Sequence, residues 1–218
     1  MIDFFPEPLK KKKPKIPLFI HIPKAAGTSI RKFVSPYMSM IDFVIHKGYE
    51  NSQNQLKDIC EILNGNYLSA NSNLSHAHQP ISCYEKNLTK KQLDDCFIFS
   101  FVRNPFDRLV SSYHYLTSEK GPNNDDKEVG EKLSKDFKTF VKKELAFYLP
   151  GGGYSPSGQT HFTPMHWYID GYYDFIGKVE NINEDFKRVC DKSGRDRIEL
   201  PIINKSNHKH YTEYYDEE

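Results

Sequence analysis

The stretch Pro23-Lys24-Ala25-Ala26-Gly27-Thr28-Ser29 has the composition of an anion cradle. Small side chains at Ala25, Ala26 and Gly27 let the backbone curl, so successive N–H groups converge on one negative charge. A helix beginning here adds its positive end. Lys24 supplies a mobile cation, and Thr28 and Ser29 supply hydroxyl donors. The order differs from the nucleoside-triphosphatase P-loop GxxxxGK[ST], because the lysine precedes the glycine. Taken alone, these residues also fit an ordinary strand-to-helix turn with a surface lysine.

A second segment runs from Arg103 through Asn104, Pro105, Asp107 and Arg108 to Ser111. Arg103 stands at the end of an apolar run, and Ser111 falls two turns into the helix that follows. A guanidinium fork and a hydroxyl so placed grip one phosphate from two sides. A capped helix with surface charges is the plain alternative. A third segment, His76-Ala77-His78, offers imidazoles that exchange protons near neutral pH. It reads equally as two loop histidines, and no third ligand nearby argues for a metal. Tyr154, His161, His166 and Trp167 stand between Tyr148 and Tyr168 as side chains that stack on sugars and bond their hydroxyls. Packing of loop aromatics on the domain explains them as well.

These residues need scaffolding, and two strand–turn–helix units provide it. Leu18 to Ile22 is a short apolar run ended by Pro23, and Ile30, Phe33, Val34 and Tyr37 then repeat at helical spacing. Phe97 to Val102 has the near-continuous apolar character of a central parallel strand. Asn104 offers an N-cap, Pro105 suits the first helical position, and Phe106, Leu109, Val110 and Tyr113 continue the helix. Weaker signals predict strands at Ile41 to Ile45, Tyr67 to Ala70 and Phe175 to Val179. Helices are expected around Leu56 to Leu63, Phe137 to Leu145 and Asn183 to Cys190, with exposed loops over Ser118 to Glu128 and Pro150 to Gly158. Alternation of this kind implies a three-layer α/β/α fold with a central parallel sheet, in which ligands bind beyond the C-terminal strand ends.

The 218 residues suit a basic lead over 1–16 and one domain over 17–218. A net charge of +1 argues against nucleic acid held by bulk electrostatics, and the run Lys10 to Lys13 with Lys15 reads as a solvated tail. No apolar run reaches a membrane span and no signal peptide is visible, so a soluble, cytoplasmic protein is expected. Cys60, Cys83, Cys96 and Cys190 lack metal-ligand spacing and read as reduced thiols. The triplets at Asn73, Asn87 and Asn204 read as chance matches to a glycosylation signal.

Together, Phe19 to Ser29 and Arg103 to Ser111 resemble the sulfotransferases. The similarity is greatest to the carbohydrate branch that contains heparan sulfate 2-O-sulfotransferase and bacterial relatives. Asp174 to Asn181, Leu200-Pro201 and Asn204-Lys205-Ser206 extend it. The resemblance implies a P-loop nucleotide-kinase-like fold and transfer of a sulfo group from 3′-phosphoadenylyl sulfate (PAPS) to a hydroxyl of a carbohydrate or other small acceptor. It implies that Lys24 and Ala25, Ala26, Gly27, Thr28 and Ser29 hold the phosphosulfate end. Arg103 and Ser111, with Lys205 and Ser206, would hold the 3′-phosphate. Lys24 would steady the leaving 3′,5′-ADP and His78 would act as base, with His76 supporting it. Tyr154, His161 and Trp167 would meet the acceptor, although Pro164-Met165 departs from the Pro-Gln usual in relatives. No metal is required. An ATP-dependent small-molecule kinase and a non-catalytic nucleotide-binding module are the alternatives; the order of Lys24 and Gly27 argues against the kinase.

Overall fold

The computed structural model describes residues 15–31, 33, 78, 80–119, 124–149, 161–201 and 208–216. The predicted strands at Ile41 to Ile45 and Tyr67 to Ala70, the helix around Leu56 to Leu63 and the loop Pro150 to Gly158 lie outside them. So do His76, Tyr154, Lys205 and Ser206, and all but the last two residues of the basic lead.

Three parallel strands form one sheet: β1 (Ile16–Ile20), β2 (Cys96–Val102) and β3 (Phe175–Lys178), with β2 central. Ile16 pairs with Cys96 and Phe99 with Phe175, so the C-terminal ends of β1 and β2 come level. Alternation along the strands loads both faces with apolar groups. Phe19, Phe97, Phe99 and Phe101 point to one side, where they meet Ile30, Phe33, Phe186 and Val189. Leu18, Ile20, Cys96 and Ile98 point to the other, against Ile81, Leu88 and Tyr168. A sheet buried on both faces needs a helix layer on each, which is the expected α/β architecture.

Helix α1 begins at residue 27 and α7 (Ile182–Ser193) lies beside it. The opposite face carries α2 (Ile81–Asn87) and is followed by α3 (Lys90–Asp95), neither of which the sequence reading anticipated. Helix α4 (Pro105–Leu116) starts as predicted, with the Asn104 side chain accepting from the N–H groups of Phe106 and Asp107. The following polar stretch corrects an expectation. Instead of an exposed loop through Glu128, residues 124–132 form α5 (Asn124–Lys132) and bury Asp126, Val129 and Gly130. Helix α6 follows as Phe137–Thr139, a π segment Phe140–Glu144 and a last turn Leu145–Tyr148. Its Phe137, Phe140 and Tyr148 join Val110, Tyr113, Leu116, Val129 and Leu133 in a third apolar cluster.

Helices α4 and α5 approach so closely at Gly130 that a Cβ there would stand 1.8 Å from the Leu116 carbonyl oxygen. Backbone cannot yield as a side chain does, so α5 would have to move. Gly130→Ala is therefore expected to destabilise the fold by about 2 kcal/mol or more, measured by urea unfolding. Because Asp126 rides on the same helix, the substitution should disturb its surroundings too.

Candidate active site

The turn after β1 is not a relaxed one. Lys24 and Ala26 have φ of 62° and 61°, in the left-handed region that costs a non-glycine residue about 1–2 kcal/mol. Two arginines from the second strand–helix unit hold it there. Arg108, only 6 % exposed, donates from Nε to the Pro23 carbonyl at 2.9 Å. The same guanidinium donates to the carbonyls of Thr163 at 3.0 Å and His161 at 3.2 Å, tying the turn to the later loop. Arg103 donates from Nη1 to the Lys24 carbonyl at 3.3 Å, and its Nε is paired with Asp107 at 2.7 Å. With the carbonyls of residues 23 and 24 so engaged, the first backbone bond of α1 is Ile30 N–H to Ala26 O. The N–H groups of residues 27–29 precede that bond, as a helix-terminal anion site requires.

Gly27 is required by what packs beneath it. A Cβ would fall 1.5 Å from His21 Nε2, inside the imidazole ring. The His21 ring stacks on Phe19 at a centroid separation of 5.5 Å and meets the His78 ring, tilted by 50°, at 4.2 Å. The His21 carbonyl accepts from His78 Nδ1 at 3.1 Å, which fixes the tautomer and leaves Nε2 of His78 with its lone pair. Burial pushes the His78 imidazole down to about 4. The bond to His21 and the charge of Asp126 oppose this, while His161 and Arg31 add to it.

Lys24 Nζ lies 4.1 Å from the centre of the Tyr115 ring, a cation–π contact. Burial, with Arg103 close by, lowers its ammonium to about 8, and Asp126 acts in the opposite sense. Asp126 accepts from the Tyr115 hydroxyl at 3.2 Å and from His161 Nε2 at 3.0 Å. Burial alone would raise its carboxyl, but these hydrogen bonds and the neighbouring imidazoles hold it below the ordinary range.

The structure thus brings Lys24, Ala25, Ala26, Gly27, Thr28 and Ser29 to the end of β1 and Arg103 to the adjacent end of β2. Ser111 lies on α4, buried at 1 % exposure. His78 and His161 sit together near Asp126. His161 is buried rather than displayed, and its backbone carbonyl also accepts from Ser112 at 3.1 Å. Trp167, in the 3-10 turn Met165–Tyr168, is 52 % exposed. Met165 takes part in the site's frame, since its sulfur accepts from the Arg103 N–H at 3.5 Å. Sequence reasoning missed His21, Arg108, Tyr115 and Asp126. Among the described residues no group of metal-ligating side chains comes together, and no helix is long and apolar enough to cross a membrane.

One family model, described as "Sulfotransferase family", matches residues 11–217. Comparisons with curated proteins and with solved structures returned no match.

Arg108 satisfies three buried carbonyls, so removing its fork while keeping its bulk isolates the effect of those bonds. Arg108→Met is expected to lower unfolding free energy by about 3 kcal/mol or more. A chemical denaturation curve is the check.

Proposed function

The chain belongs to the sulfotransferase family, enzymes that take a sulfo group from PAPS, and from that premise we propose how its residues divide the work. The turn at residues 24–29 receives the phosphosulfate end of the donor. Arg103 and Ser111 receive the 3′-phosphate, the group that separates PAPS from ATP. Lys205 and Ser206 contribute to the same end. The single observation that carries this reading is the joining of the two units: Arg103 bonds the Lys24 carbonyl across neighbouring strand ends. One doubly phosphorylated nucleotide then spans both.

In the transfer, the acceptor oxygen forms a bond to sulfur as the bond from sulfur to the donor's bridging oxygen breaks. The Lys24 ammonium faces the bridging oxygen and neutralises the charge that develops on the departing 3′,5′-ADP. His78 Nε2 takes the hydroxyl proton, and its neutral state at physiological pH supports that role. His76 assists it. Backbone N–H groups of residues 27–29 hold the donor oxygens. We assign the acceptor to carbohydrates or similar small hydroxylated compounds. The exposed ring of Trp167 supports this as a stacking surface, and we assign Tyr154 to the acceptor as well.

Calorimetry with 3′,5′-ADP, 5′-AMP and ATP tests the donor site. A clear preference for 3′,5′-ADP is expected, weakened by about 2 kcal/mol in Arg103→Ala. Equal affinity for all three would refute the assignment. Transfer from labelled PAPS to a panel of sugars and phenols tests turnover, and Lys24→Ala should lower kcat by about a hundredfold or more.

The pH profile follows from the two shifted groups. His78 must be neutral and Lys24 charged, so kcat/KM for the free enzyme should rise through pH about 4 and fall through pH about 8. An alkaline limb that persists unmoved in the residual activity of Lys24→Ala would remove Lys24 from the rate equation.

A further inference from the structure

Asp126 is a carboxylate 8 % exposed, fixed from both sides. The Tyr115 hydroxyl donates to Oδ2 and the His161 ring to Oδ1. Since the carboxylate is ionised, the proton between it and His161 resides on Nε2, and among the described residues the buried Nδ1 of His161 has no hydrogen-bond partner. The Tyr115 ring that reaches Asp126 with its hydroxyl also carries the Lys24 ammonium on its face. The charged groups acting on Lys24 are Arg103 and Asp126. Those acting on His78 are His161, Arg31 and Asp126. Among the described residues, Asp126 is the one negative member of both sets.

We propose that Asp126 is a positioning residue of the transfer, held by Tyr115 and His161 so that a single negative charge faces both the lysine at the leaving group and the histidine that accepts the proton. The inference rests on the roles proposed above for Lys24 and His78. When His78 gains a proton, an imidazolium adds to a site that already holds the Lys24 ammonium and feels Arg31. A fixed carboxylate, ordered before the reaction, offsets that accumulation of positive charge. The hydrogen bonds from Tyr115 and His161 hold its direction, and the Tyr115 ring carries Lys24 on its face.

The test compares wild type with Asp126→Asn, which keeps the shape and removes the charge. Two readouts are taken across pH: calorimetric affinity for 3′,5′-ADP, and transfer from PAPS to the best acceptor in the sugar and phenol panel. Turnover should fall at least about tenfold. On the acid side of the Lys24 titration, 3′,5′-ADP should bind as tightly as before or more tightly, because a negative charge has left an anion site. The pH above which affinity and kcat/KM decline should move to lower values, since the Lys24 ammonium loses its counter-charge. A damaged scaffold would weaken binding and turnover together without moving that limb, and such a result would overturn the proposal, as would full turnover. Should Asp126→Asn not fold, Tyr115→Phe and His161→Gln decide. Each leaves the carboxylate and loosens it, and reduced turnover with 3′,5′-ADP binding intact is expected, whereas unchanged turnover in both overturns the idea. Wild type that binds 3′,5′-ADP but moves no sulfo group would overturn the underlying reading as well. An active wild type with an unmoved Asp126→Asn profile overturns this inference alone.

Discussion

Left to itself, the backbone between Pro23 and Gly27 would not hold two excursions into left-handed space, at Lys24 and at Ala26. The cost of those conformations is borne by contacts from elsewhere, chiefly the guanidinium of Arg108 on the Pro23 carbonyl and that of Arg103 on the Lys24 carbonyl. Strain of this kind persists only where the surroundings over-determine it. Both arginines come from the segment after β2, so the geometry of the first unit is a property of the pair. The parallel pairing of β1 with β2, which brings the two strand ends level, is the condition for either arginine to reach.

The same proximity creates an electrostatic difficulty. Lys24, Arg103, Arg108 and two histidines share a poorly hydrated space, and burial lowers the basicity of Lys24, His78 and Arg108 alike. A site for a multiply charged anion needs that positive potential, yet a buried excess of one sign works against folding. Asp126, with Asp107 on Arg103, partly balances it. Buried thiols contribute nothing comparable: Cys96 is pushed up to about 12 by burial and stays neutral.

Much of this was legible in the sequence because it was local. The apolar alternation of β2, the Asn104–Pro105 start of α4 and the small residues of the first turn each announce themselves within a few positions. Residues 124–132 were missed because α5 is polar overall and follows a polar stretch. The signal was present in weaker form: Asp126, Val129, Gly130 and Leu133 fall at i, i+3, i+4 and i+7 and are all buried. An aspartate on such a stripe breaks the apolar pattern that would reveal the helix. Arg108 reads as a surface charge because its three carbonyl partners belong to residues 23, 161 and 163, which no local pattern connects to it. His21 and Gly27 fit together only once β1 is placed beneath α1.

The segment around the 3-10 turn Tyr211–Glu213 lies across the start of α4. The Tyr211 hydroxyl meets Asn104, the α4 cap, over a separation of 107 positions, and the Tyr215 hydroxyl donates to the Phe106 carbonyl over 109. Contacts so distant along the chain close large loops and form late in folding. The helix that follows Arg103 and carries Ser111 is therefore clasped only once residues 208–216 have been organised against it. During synthesis all three strands emerge before this clasp can form, so the start of α4 stays unfastened until residues 208–216 have been made.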